Sequence, residues 1–170
     1  MKYIDKTYFQ GIIAIPNKDE EFVQLGQLIK DSSNLIIKDV LGYDLFKQLL
    51  DANLNDATSK FYKLMYGTEY TVNGVVCKWK GFINDEKQSL LAYYTFYKWA
   101  DSEWLLNFGG GSGTIIPDNA IIENQTMRIV RVEQLIEKEI RELYDWIYYE
   151  KPFGEFDFIY KFKNPVTWLF

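Results

Sequence analysis

Apolar and polar positions follow two rhythms along this chain, one of period two around residue 73 and one of period three to four over most of the rest. The first turns at Asn73-Gly74, a dipeptide that accepts positive φ at both central positions of a type I′ turn and so predicts a β-hairpin over about 69–79. The turn fixes a register of Val72 opposite Val75, Tyr70 opposite Cys77 and Thr68 opposite Trp79. Tyr70, Val72, Val75, Cys77 and Trp79 then share an apolar face, with Glu69 facing Lys78 on the other.

The second rhythm predicts four to five helices. Asp19-Glu20-Glu21 forms an acidic first turn after Pro16-Asn17, and Phe22, Leu25, Ile29, Ile36 and Val40 carry one long helix to a stop at Gly42. Irregularity is expected at Asp31, Ser32, Ser33 and Asn34, whose small polar side chains compete for backbone hydrogen bonds. A short helix covers Tyr43 to Asp51, and another starts at about Asp56 and ends at Gly67. An aromatic helix opens at Asn84 as N-cap, with Asp85 and Glu86 at the positive end of its dipole, and runs to about Leu106. Leu90, Tyr94 and Tyr97 form one stripe of it, and Tyr93, Phe96 and Ala100 another. Such a helix must be covered on most sides, either as the centre of a single-chain bundle or between the core and a neighbouring subunit. The most regular helix spans Glu123 to Tyr149, with Ile129, Val132, Ile136, Ile140, Leu143 and Ile147 inward and Glu137/Arg141 and Lys138/Glu142 paired outward at roughly 0.2 to 0.5 kcal/mol each.

Past Lys151-Pro152 the chain turns aromatic again, with Phe153, Phe156, Phe158, Tyr160, Phe162, Trp168 and Phe170. From Phe156 to Phe162 the alternation is that of a strand. At roughly 150 to 250 Å² per ring these residues represent on the order of 1,000 Å², against an exposed apolar patch of only about 300 to 600 Å² on a typical monomer. The tail must therefore dock. One destination is the hairpin, since a third strand would complete a small sheet, and at least part of the tail is expected to reach another chain.

Composition narrows the chemistry. The 170 residues fit one domain, divided as a helical unit with inserted hairpin over 1–150 and a docking tail over 151–170. No run approaches the roughly 20 apolar residues of a membrane span, and residues Met1 to Lys6 lack a signal peptide's apolar run, so a soluble protein made in a cytoplasm is expected. With no histidine and one cysteine, Cys77, the chain cannot assemble Ser-His-Asp or Cys-His catalytic sets, zinc sites of His or Cys clusters, or an internal disulfide. Glu133, Glu137 and Glu142 lack the histidine of a Glu-x-x-His di-metal motif, and a solvated face is the expectation. Gly109 to Gly113 is followed by Thr114-Ile115 rather than the Lys-Ser/Thr of a phosphate-binding loop, so the stretch from Asn107 to Asn119 reads as a flexible surface loop. No cofactor and no enzyme activity are expected. Net charge is −5, and the 19 basic residues are scattered, which argues against gripping DNA.

The order of elements resembles that of the head-to-tail connector, or neck adaptor, proteins of tailed bacteriophages, particularly those of Bacteroidetes phages and crAss-like phages. The likeness rests on Val40-Leu41-Gly42-Tyr43-Asp44-Leu45-Phe46, on Tyr66 to Tyr70 with Trp79-Lys80-Gly81, on Leu90 to Tyr97, on Leu143-Tyr144-Asp145-Trp146-Ile147 and on Phe162-Lys163-Asn164. Residues up to Asp19 and those after Asn164 fall outside it. The resemblance implies a mainly α subunit of a homo-oligomeric ring, commonly twelvefold, in the virion neck. The ring would sit below the portal protein, extend the channel through which DNA passes unbound, and dock the next neck or tail component. A second reading is a small helical adaptor gripping a peptide or partner helix in an aromatic groove lined by Tyr94, Tyr97 and Trp104. A third is an enzyme using only carboxylates, tyrosine or lysine, whose signature would be a deep pocket with paired acids of shifted pKa.

Overall fold

The computed structural model describes residues 3–15, 21–109 and 119–155. Within them lie five α-helices and one hairpin: α1 (Glu21–Leu41), α2 (Tyr43–Leu50), α3 (Lys60–Tyr66), β1 (Thr68–Val72), β2 (Val75–Trp79), α4 (Leu90–Gly109) and α5 (Asn119–Glu150). The protein is mainly helical with one two-stranded antiparallel sheet, the expected class. Two single turns of 3₁₀ helix, Lys6–Tyr8 and Gly11–Ile13, precede α1.

The core lies where α4 packs against α1 on one side and α5 on the other. The predicted stripe of α5 is the one buried: Val132, Ile136, Ile140, Leu143 and Ile147. Leu90, Leu91, Ala92, Tyr93, Tyr94, Phe96 and Tyr97 of α4 are all buried too, so the chain covers this part of its aromatic helix itself. That favours the single-chain bundle over a helix shared with a neighbour.

Two expected helix starts move and one expected irregularity does not occur, each for a local reason. The helix α4 starts at Leu90, not Asn84. The Asn84 side chain closes the preceding loop instead, donating through Nδ2 to the carbonyls of Gly81 (3.2 Å) and Gln88 (2.7 Å) and accepting through Oδ1 from the Gln88 amide. The cap is Ser89, whose Oγ accepts from the Leu91 amide at 3.2 Å and donates to the Phe82 carbonyl at 2.5 Å. The helix α3 starts four residues after Asp56, which caps a separate turn: the Thr58 hydroxyl and amide hold its carboxyl below the usual range. In α1 no break occurs at Asp31 to Asn34. Asp31 is engaged by Gln27 one turn earlier (2.8 and 2.9 Å), Asn34 accepts from the Tyr3 hydroxyl (2.9 Å), and Ser32 and Ser33 are buried, so these side chains do not displace the helical backbone bonds.

Besides the Tyr3 bond to Asn34, the segment before α1 is fastened at two further points no periodicity announced. The Tyr8 hydroxyl donates to the Asn84 carbonyl (2.8 Å) and accepts from its amide (2.9 Å). Arg128 of α5 donates through Nε to the Ile12 carbonyl and through a terminal nitrogen to that of Ala14 (2.7 Å), with its guanidinium 4.6 Å from the centre of the Phe96 ring.

Candidate functional site

The hairpin has the predicted register in full, Thr68 opposite Trp79 through Val72 opposite Val75, and both turn residues have positive φ (Asn73 50°, Gly74 82°). The chain joins β1 at Gly67 and leaves β2 at Gly81. At Gly67 (φ +90°) an added Cβ would lie 2.6 Å from the carbonyl oxygens of Trp79 and Lys80, and at Gly81 (φ +84°) one would lie 2.4 Å from the Gly67 nitrogen. The two backbones touch here, and only glycine fits.

Trp79 anchors this base. Its indole donates to the Leu64 carbonyl (3.0 Å), and its ring stacks on Trp146 of α5 (6.3 Å, 11°) and meets Phe82 edge-on (5.6 Å). Phe153 completes the cluster, 6.1 Å from Trp146 and 5.6 Å from Phe61, with the Lys60 ammonium 5.2 Å from its ring centre. The hairpin is thus fixed at its base and bare at its tip: Trp79 is fully buried, whereas Val75 and Val76 are 64% and 67% exposed. The predicted apolar face is buried only at Tyr70 and Trp79. Glu69 faces Lys78 across the strands as expected, and the Lys78 ammonium forms an ion pair with Glu86 in the next loop (3.4 Å).

Beside Trp79, Lys80 enters a buried ionic cluster that sequence reasoning missed. Its ammonium lies 3.1 Å from Glu139 and 3.5 Å from Glu142 of α5. Burial pushes the Lys80 ammonium down, but the two carboxylates outweigh it and the net shift is upward. Burial also pushes the Glu139 carboxyl up, further than Lys80 pulls it back, and its Oε2 has no hydrogen-bond partner. The expected solvated face of Glu133, Glu137 and Glu142 is therefore corrected: Glu137 is exposed, Glu142 is partly covered and Glu133 is buried, because α5 carries the hairpin as well as α4. A helical wheel held the signal, since Glu139, Glu142 and Trp146 follow one another at i, i+3 and i+7. Among the described residues no group of three or more acidic, histidine or cysteine side chains is placed to hold a metal ion.

The expected aromatic site residues separate. Tyr94 and Tyr97 stack on each other at 6.3 Å and are 5% and 7% exposed, so they line no open groove. Phe153 docks on its own chain. The Trp104 side chain and residues Phe156, Phe158, Tyr160, Phe162, Trp168 and Phe170 lie outside the described residues, as does the stretch from Gly110 to Asp118. A cleft of about 480 Å³ opens between the first residues, α3 and the 83–87 loop, walled by Tyr3, Tyr8, Tyr62 and Tyr66. Its lysines are engaged: Lys78 with Glu86, Lys80 with Glu139, and Lys87 4.6 Å over the Tyr8 ring. No helix among the described residues is long and apolar enough to cross a membrane. Comparison with family models, curated proteins and solved structures yields no match for this chain.

Proposed function

We propose that this protein is a structural subunit of a head-to-tail connector ring in a tailed bacteriophage, seated between the portal and the next neck or tail component. The reading is carried by one observation, a hairpin locked at its base to α3 and α5 whose tip presents Val75 and Val76 to solvent. A rigid finger with an apolar end suits insertion against a neighbouring subunit. The aromatic tail, which departs beside the base of the same finger, supplies further contact area. The resemblance in element order supports the assignment, and a net charge of −5 suits a channel through which DNA slides without being held.

The test is to purify the virions whose genome encodes this chain and find the protein in them. Mass spectrometry should detect it at a copy number near that of the portal, and electron microscopy should place ring density of matching subunit size in the neck. Absence from virions that contain portal and tail would overturn the reading. Burial of Tyr94 and Tyr97 weighs against the groove expected for the adaptor alternative.

A further inference from the structure

Both outer edges of the hairpin are open. In a hairpin closed by a two-residue turn, Val72 bonds to Val75 and Tyr70 to Cys77, so the backbone groups of Glu69 and Thr71 on β1, and of Val76 and Lys78 on β2, point away from the partner strand. Among the described residues no backbone hydrogen bond engages these groups, apart from one that the neighbouring Thr68 hydroxyl donates to the Glu69 carbonyl (3.2 Å), and all four residues are exposed. The two edges differ in charge. β1 carries Glu69 and no cation, whereas β2 carries Lys78 and no carboxylate. Laying β2 on a second β2 therefore gives Lys78 no counter-charge, and β1 on β1 gives Glu69 none. Only β2 on β1 gives each an opposite charge.

We propose that the β2 edge of one copy pairs antiparallel with the β1 edge of a second copy, in the register that joins the two strands within the hairpin. Lys78 then stands beside Glu69 of the second copy, and Val76 beside its Thr71. On the face turned toward α5, Val75 falls beside Val72 of the second copy, so both exposed valines gain cover from a neighbour. A shift of one residue would put Lys78 and Glu69 on opposite faces, and a shift of two would part them along the strand. A lysine on an edge ordinarily deters pairing, but here it meets a glutamate. Its ion pair with Glu86 leaves the Lys78 side chain more than half exposed, with room for a second carboxylate. The contact is heterologous, the kind that repeats from copy to copy and builds rings instead of two-fold dimers. Each hairpin adds about 10 Å of sheet width and each helix beside another takes about as much, so the hairpins converge toward the ring axis with the wider bundles outside. The inference deepens the connector reading, on which it rests for the ring, by naming the surface that joins one subunit to the next.

Cys77 is the chain's only cysteine, so single-thiol variants can read the pairing. Two full-length variants carry Cys77→Ser, one together with Thr71→Cys and the other with Val76→Cys. Positions 71 and 76 of adjoining copies face each other with Cα atoms about 5.5 Å apart, within disulfide reach. After mild oxidation the mixture should lose free thiol and yield a cross-link joining one copy of each variant, while each variant alone keeps its thiol. Cross-linking of either variant alone to the same extent would overturn the β2-to-β1 arrangement, and no cross-link in the mixture would overturn the edge pairing. In the assembled ring of the unaltered protein, the amides of Glu69, Thr71, Val76 and Lys78 should exchange about as slowly as that of Cys77. Fast exchange there would overturn the pairing and leave the ring standing, whereas mixed cross-linking of a protein absent from virions would overturn the connector reading and leave the pairing.

Discussion

At Gly81 a single methyl group is the difference between a hairpin that seats and one that does not. Gly81→Ala forces a left-handed φ on alanine and drives Cβ into the Gly67 backbone, so it should lower unfolding stability by at least about 2 kcal/mol in urea titrations. Gly74→Ala meets nothing within 4 Å and should lose only the conformational part, about 1 kcal/mol. Lys80 makes a second residue-scale case. Lys80→Met leaves Glu139 buried without a counter-charge and should cost about 3 to 5 kcal/mol at pH 7, less as the pH falls and the carboxyl takes up a proton. In the unaltered protein the raised Glu139 carboxyl means that the folded chain holds this proton more tightly than the unfolded one. Its contribution is full below the ordinary carboxyl range and is lost as the pH rises through the raised value. Lys80 contributes with the same sign at alkaline pH, lost as the pH climbs through its own raised value. Denaturation midpoints of Glu139→Gln should therefore fall less steeply than those of the unaltered protein as the pH rises above the ordinary carboxyl range. The turn was legible because Asn73-Gly74 acts on its own neighbours, whereas the close approach of Gly67 and Gly81 joins residues fourteen apart and was not. Glu139 was not, because its burial depends on a lysine 59 residues away.

Elements were legible where the signal repeats and illegible where one side chain decides. Six spaced aliphatics marked α5, and five of them are buried. The expected start of α4 was Asn84, whereas the cap is Ser89, a residue type that caps helices equally well. The winner was settled by tertiary structure: the Phe82 carbonyl accepts from the Ser89 hydroxyl, and the Asn84 backbone is tied to Tyr8. Ser89→Ala should accordingly cost about 1 to 2 kcal/mol in thermal or urea unfolding, losing the cap and the buried bond together. A similar tie explains the N-terminal segment, whose short 3₁₀ turns have no period to read and are held by partners 76 and 116 residues further on.

For the molecule as a whole, bundle and hairpin emerged from pattern, while the apolar surface left for partners needed the structure to locate it. The rings of Tyr94 and Tyr97 carried the same signature as surface-seeking aromatics and turned out to be core, while the two valines beside the turn are among the large apolar side chains left exposed, with Tyr43, Tyr148 and Tyr149. On the connector reading, the double substitution Val75→Asp with Val76→Asp should alter unfolding stability by less than about 1 kcal/mol and yet shift sedimentation from ring to smaller species. The clasp made by Arg128 has a bearing on how the protein is made. The carbonyls of Ile12 and Ala14 wait for a side chain more than a hundred residues downstream, so this part of the segment before α1 lacks its clasp until α5 has emerged from the ribosome, even after Tyr3 and Tyr8 have met Asn34 and Asn84. Residues 12 to 14, made well before the helix that clasps them, are thus among the last parts of the bundle to settle.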